Sequence, residues 1–172
     1  KAKELLTQAG YSDGLTITLT TSDSQERVDI AEMVQNQLGQ VDITVKVETL
    51  ENATYLDRIV AGTVEMYILG WTCNTGDPHF ALFDPFYTGG ATWANTAQYS
   101  NSEVDRLLDI GRNTVDENTR LDAYYEVQEL LVDEAPWVFL QNSEYTAATT
   151  SAVKGFVVMP SVRVSFNTVT FQ

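Results

Sequence analysis

Trp71, Thr72, Cys73, Asn74 and Asp77 follow closely behind the apolar run Met66, Tyr67, Ile68, Leu69 and Gly70. An indole, a hydroxyl, a thiol, an amide and a carboxylate in so little chain supply binding chemistry: an apolar wall and several hydrogen-bonding groups. A strand that ends this way delivers them to the carboxyl edge of its sheet, where open α/β sheets place their ligands. The run points to a small-molecule or peptide site. Two blander readings stand beside it. Trp71 can pack into the core, and Asp77 before Pro78 is also the sequence of a turn or helix cap.

Catalysis has little to work with. Cys73 is the only cysteine and His79 the only histidine. A reactive thiol needs a base or a positive charge beside it, and the sequence sets none near Cys73, which reads as an inert cleft-lining or buried thiol. One histidine cannot build a common zinc site, so His79 is expected to be structural. An internal disulfide is impossible with one cysteine. The nucleophile elbow, the phosphate loop and the dinucleotide glycine pattern are all missing. Carboxylates are plentiful, but no spacing marks a catalytic pair. The chain is expected to be a binder without cofactor or metal, not an enzyme.

Twenty-four acidic residues against ten basic ones give a net charge of −14. That balance argues against nucleic acid, which is held by Lys and Arg, and against an anionic membrane surface. A solvated, soluble surface is the simple reading; steering of cationic ligands is the other. The 172 residues are enough for one domain with a hydrophobic core. No stretch has the length of a membrane-spanning helix. The first residues already read as helix and no initiator Met precedes them, so a mature product or an excised domain is expected.

The elements that must position the site follow from periodicity. Residues 1–9 read as a helix stopped by Gly10. Leu15, Ile17 and Leu19 alternate with threonines, as in a strand with one buried face. Residues 21–24 offer caps for a helix with Ile30, Ala31, Val34 and Leu38 on one stripe. Ile43, Val45 and Val47 form a second strand. Asn52 is the expected cap of a helix that buries Leu56, Ile59 and Val60 and ends at Gly62. Residues 66–69 form a third strand. This β-α-β-α-β order predicts right-handed crossovers and a largely parallel sheet flanked by helices, an α/β fold.

Beyond it, residues 71–99 read as a long irregular stretch in which Phe80, Phe83, Phe86, Tyr87 and Trp93 pack the loop down, or are in part exposed. Ser100 and Glu103 make a capping box for a helix with Val104, Leu107 and Leu108. Asp116 starts a second helix with Leu121, Tyr124, Gln128 and Leu131 on one face, ending in a solvated Asp133-Glu134 pair. Pro136 stops it. Residues 137–140 read as a buried strand, and residues 152–172 as a β-like tail.

The order of these motifs resembles one lobe of the bacterial extracellular solute-binding proteins of family 5, the dipeptide and oligopeptide receptors of ABC importers. The resemblance is carried by VETLE at 47–51, YLDRIVAG at 55–62, MYILGW at 66–71, YSNSEVDRLL at 99–108 and APWVFL at 135–140. It covers essentially the whole chain. It implies one lobe of a periplasmic-binding-protein-like fold of type II, cluster C, and family members roughly three times longer than a single domain of this size. Residues 1–172 are then a single inserted lobe whose tail, 152–172, leads back toward a large lobe missing from this sequence.

The resemblance also implies a function. Short peptides, or other small solutes, are captured between two lobes and delivered to ABC permease subunits in the periplasm or at the outer face of the membrane, where such receptors can be lipid-anchored. Gly70, Trp71, Thr72, Cys73 and Asn74 then face the cleft. Several peptide-binding relatives carry Asp at the position of Asn74, paired with the peptide's free α-ammonium. Asn keeps the hydrogen bonding and loses the charge, and Asp77 is the substitute within reach. The same fold also serves receptors for nickel chelates, sugars and signalling peptides, which stay open as alternatives.

Overall fold

The structure, a computed structural model, describes residues 1–90, 93–159 and 164–172. Residues 91 and 92 of the expected aromatic stretch and 160–163 of the tail lie outside the described residues. The chain divides into two compact units, Lys1–Gly70 and Trp71–Gln172.

The first unit begins with α1 (Ala2–Gln8), followed by Gly10 at φ +87°. Then β1 (Leu15–Ser22), α2 (Gln25–Gly39), β2 (Ile43–Leu50), α3 (Asn52–Val60) and β3 (Met66–Tyr67) alternate. Strand order is β2-β1-β3, and both pairings are parallel. The register runs from Leu15 opposite Ile43 to Ser22 opposite Leu50, and sets Leu19 opposite Met66. Branched and apolar side chains at alternate positions suit a pleated surface, but β1 is not the expected strand with one buried face: Leu19, Thr20, Thr21 and Ser22 are all buried, so both faces of its carboxyl half are covered. The apolar face meets α2: Leu19, Ala31 and Val45 are buried, with Ile17, Val34, Leu38, Ile43, Val47, Met66 and Ile68 packed around them. The parallel α/β architecture is the one expected.

Three details differ. The α3 cap is Glu51, whose carboxylate accepts from the amides of Ala53 at 2.9 Å and Thr54 at 3.2 Å. Asn52 is the first helical residue instead. The buried residues of α3 are Tyr55 and Ile59, while Leu56 and Val60 are exposed. Finally, β3 pairs at Met66 and Tyr67 and no further along the expected 66–69 strand. The carbonyl of Ile68, one residue on, accepts from the Tyr55 hydroxyl.

The second unit is built on helices. Inside the stretch expected to be irregular lies α4 (Pro78–Phe86), with Asp77 as its cap and Pro78 in its first turn. The pair α5 (Ser102–Asn113) and α6 (Glu117–Glu134) forms the centre. Phe86, Val104, Leu107, Leu108, Ala123, Tyr124, Val127 and Leu131 are buried together. Gly111 is required there. A Cβ at Gly111 would stand 2.6 Å from Cζ of Tyr124, so only glycine lets that ring lie against α5.

The buried stripe of α6 is Ala123, Tyr124, Val127 and Leu131; Leu121 and Gln128 are exposed. Asn101, not Ser100, caps α5, accepting from the Glu103 and Val104 amides at 2.8 and 3.3 Å. Its amide also donates to Glu134, 2.6 Å away, and the Tyr99 hydroxyl donates to the other Glu134 oxygen at 2.6 Å. Asp133 and Glu134 are exposed at the helix end, as expected, and Glu134 is also a tie point.

Residues 137–140 form no strand. Trp137 packs on Phe86 at 4.7 Å between ring centroids, while Val138 is 78% exposed. An apolar run makes a strand only where a neighbouring strand accepts its backbone. In the tail, β4 (Val153–Lys154) pairs antiparallel with β7 (Thr170–Phe171), and β5 (Val157–Val158) with β6 (Val164–Ser165).

Candidate functional site

Of the six residues singled out by sequence, Gly70 closes the first unit and is exposed. Trp71, Thr72, Cys73, Asn74 and Asp77 belong to the second. Trp71 is half-buried. Its indole N–H donates to the carbonyl of Phe80 at 3.2 Å, and its ring stacks with Phe80 at 6.3 Å and Trp93 at 5.8 Å. Trp93 is 58% exposed. The result is an aromatic shelf whose inner edge is fixed by α4 and whose outer ring faces solvent. Trp71 is therefore neither a free flap nor a sealed core residue.

Thr72 and Asn74 are exposed. Cys73 is half-buried, and its thiol donates to the carbonyl of Asp77 at 3.4 Å, with the Thr75 hydroxyl 3.7 Å away. The Thr75 hydroxyl in turn accepts from the Asp77 amide at 3.2 Å. These short-range bonds fold residues 73–77 into a tight arch.

Asp77 anchors the arch. Its Oδ1 accepts from the His79 amide at 2.8 Å, as a helix cap does, and from Nη2 of Arg120 at 2.6 Å. Burial pushes the Asp77 carboxyl up, but the His79 amide and the Arg120 guanidinium outweigh it and hold the group below the ordinary carboxylate range. Arg120 is itself held: its Nε donates to the carbonyl of Gly111 at 3.1 Å, and its guanidinium lies 5.0 Å over the Tyr124 ring. Arg120 is a residue that sequence reasoning missed. It stands far along the chain from Asp77, on a helix whose exposed residues are mostly polar, and no local pattern separates it from a solvated arginine.

His79 packs its ring on Phe83 at 4.8 Å, and its Nδ1 is buried without a hydrogen-bond partner among the described residues. Phe83 stacks on Tyr87 at 4.3 Å. Most of the aromatic stretch thus packs inward, and Trp93 is its exposed exception. Among the described residues no three His, Cys, Asp or Glu side chains converge as a metal would require. A surface groove of about 330 Å³ on α5 and α6 is lined by Glu103, Leu107, Glu126, Glu129, Leu130 and Asp133. Acidic side chains alone select no ligand. The arrangement around residues 71–77 offers an aromatic face, exposed amide and hydroxyl groups, and a carboxylate already paired; it offers no nucleophile beside a base.

Comparison with known proteins gives the family. Residues 1–93 match the family described as bacterial extracellular solute-binding proteins, family 5 middle. The glutathione-binding protein GsiB of Pectobacterium atrosepticum is 32% identical over 96% of this chain, and the chain spans about a third, 34%, of that protein's length. The GsiB protein of Escherichia coli K12 is 30% identical over the whole chain, which again spans 35% of it.

Solved structures agree on the fold. The periplasmic binding protein DppA of Helicobacter pylori, in complex with the peptide STSA, superposes with a TM-score of 0.72 at 31% identity, over 79% of this chain and 27% of DppA. A dipeptide-binding protein of a Pseudoalteromonas species, in complex with Met-Leu, gives a TM-score of 0.79 over 99% of this chain and 35% of its own, at 23% identity. The fold is that of part of a periplasmic binding protein, and the chain belongs to the bacterial extracellular solute-binding proteins of family 5.

Proposed function

We propose that this chain is one lobe of the substrate-binding component of an ABC importer, which captures short peptides between two lobes and delivers them to a permease. The carrying observation is the segment from Gly70 to Asn74, exposed at Gly70, Thr72 and Asn74, with the Trp71 and Trp93 shelf beside it, in a chain of this family. A glutathione-binding relative and a relative bound to peptide STSA support the choice of ligand class. Backbone groups of residues 70–74 pair with an extended peptide as an added strand does. Trp71 supplies an apolar wall for a side chain. Asn74 and Thr72 donate and accept hydrogen bonds, Cys73 lines the segment, and Asp77 shapes it. No chemical step is involved. Ligand bridges two lobes, shifts the protein to a closed form, and that form docks on the permease. The natural place for it is the periplasm or the outer face of the cell membrane.

The test is calorimetry and thermal shift on the full-length protein with di- to tetrapeptides bearing free or acetylated amino termini. Peptides are expected to raise its Tm, and Trp71→Ala or Asn74→Ala to abolish most of that gain. A full-length protein that no peptide stabilises would move the function to another solute class of the same fold, such as a metal chelate or a sugar.

A further inference from the structure

We propose that Arg120 determines specificity at this segment: by holding Asp77 it withdraws the segment's only carboxylate, so that residues 70–77 read a peptide's backbone and not its ammonium charge. The inference rests on the reading of that segment as peptide contact.

The chemistry is local. Residues 70–77 contain one charged side chain, Asp77. A carboxylate left free at the end of a peptide-binding segment would attract a free amino terminus, because a hydrogen bond to a charged group is roughly twice as strong as a neutral one. Asp77 is not free. One of its oxygens already takes two donors, the Arg120 guanidinium at 2.6 Å and the His79 amide at 2.8 Å. An ammonium approaching Asp77 meets the guanidinium charge beside the carboxylate, and the two fields largely cancel.

Arg120 is built to stay. Its Nε is bonded to the Gly111 carbonyl at 3.1 Å, and its guanidinium lies on Tyr124, a residue 1% exposed in the core of the second unit. Swinging away would break that bond and the ring contact as well as the ion pair. The same grip anchors the arch of residues 73–77 to α6. Asn74, the other polar group of the arch nearest the strand end, carries no charge. The ligand class that follows is peptides whose amino end is acylated, or joined through a side-chain amide, no less than peptides with a free α-amine.

The experiment uses the full-length protein and trialanine with a free or an acetylated amino terminus, with calorimetric affinities for both. Wild type is expected to bind the pair within about threefold of each other. Arg120→Gln frees Asp77 and is expected to shift the ratio about tenfold toward the free amine, the size of a charge-assisted over a neutral bond. Arg120→Lys, which keeps the positive charge, is expected to stay near the wild-type ratio, and Arg120→Gln combined with Asp77→Asn to lose the shift.

Asp77→Asn alone keeps a good helix cap and serves should Arg120→Gln fail to fold: it is expected to move both peptides alike. A selective loss of the free-amine peptide in Asp77→Asn, or an unmoved ratio in a folded Arg120→Gln that binds both peptides, overturns the proposal. If wild type binds neither peptide, the peptide reading itself falls and this inference with it; binding with an unmoved ratio sinks the inference alone.

Discussion

The two units hold their shape by different means. In Lys1–Gly70 a parallel sheet sets the positions, and its backbone ladder runs unbroken from Leu15 opposite Ile43 to Ser22 opposite Leu50. Its sheet-facing core is aliphatic and small, with Leu19, Ala31 and Val45 buried. In Trp71–Gln172 helices pack on helices through a larger and partly aromatic core. There, polar side chains tie the loops down: Asp77 to Arg120, Thr88 to Asp105, and Tyr99 and Asn101 to Glu134. A backbone ladder is indifferent to most substitutions, whereas a side-chain tie is lost with one atom. The strand end that leads to Gly70 is therefore robust, and the arch of residues 73–77 is the mutable part of the candidate site.

Core deletion should give the largest effects and expose the difference in packing. Leu131→Ala, in the closed core of the second unit, is expected to cost about 4 kcal/mol, and Leu19→Ala, in the smaller core that partly exposed side chains can fill, about 2 kcal/mol. All three tryptophans, Trp71, Trp93 and Trp137, lie in the second unit. Indole fluorescence in denaturant thus reads Leu131→Ala, and hydrogen exchange of the β1 amides reads Leu19→Ala. Equal losses would erase the distinction between a closed and a leaky core.

Glycine substitutions sharpen the same contrast at smaller cost. Gly39 ends α2 with nothing within 4 Å of where its Cβ would stand, while the Cβ of an alanine at 111 would meet the Tyr124 ring at 2.6 Å. Gly39→Ala should stabilise by about 0.5 kcal/mol through the lower entropy of the unfolded chain. Gly111→Ala should destabilise by about 1–3 kcal/mol by overpacking. It should also loosen Arg120, whose Nε bonds the Gly111 carbonyl. Thermal melts of the two variants check both signs. A neutral Gly111→Ala would mean that the Tyr124 ring has room to withdraw.

Much of the first unit is legible from sequence because its signals are local. Alternation in residues 15–19 and 43–47 gives the strands and their parallel order, and the resemblance in YLDRIVAG and MYILGW gives the family. What sequence misses there is rotational: α3 buries Tyr55, not Leu56, because a tyrosine hydroxyl that can reach the Ile68 carbonyl is the better core residue. In the second unit the misses are long-range. Ser100 and Asn101 are both good caps, and what favours Asn101 is Glu134, more than thirty residues away. Residues 137–140 have the composition of a strand, but composition does not say whether a partner strand is beside them. For the candidate site, sequence singles out Trp71 and the polar run after it, and leaves Asp77 open between ligand group and cap. The structure shows the cap, through the His79 amide, and an ion pair with Arg120 that nothing local to Asp77 announces.

The smallest expected effect is a titration, and it separates the units once more. Tyr55 in the first unit is pushed up to about 12 by burial, its hydroxyl bonded to the Ile68 carbonyl. Tyr99 in the second is also pushed up to about 12, by burial first and then by its bond to the Glu134 carboxylate. In both cases the folded state favours the neutral hydroxyl. The stability this contributes is fully present below the ordinary tyrosine value of 10.0 and is lost as pH rises through about 12. Ultraviolet difference titration should show these two among the last of the eight tyrosines to ionise. Glu134→Gln removes the charge but not the burial, so Tyr99 should ionise earlier, though still late, while Tyr55 stays where it was. If Tyr99 does not move, its shift is burial alone, and Glu134 acts in the second unit only as a cap partner for Asn101.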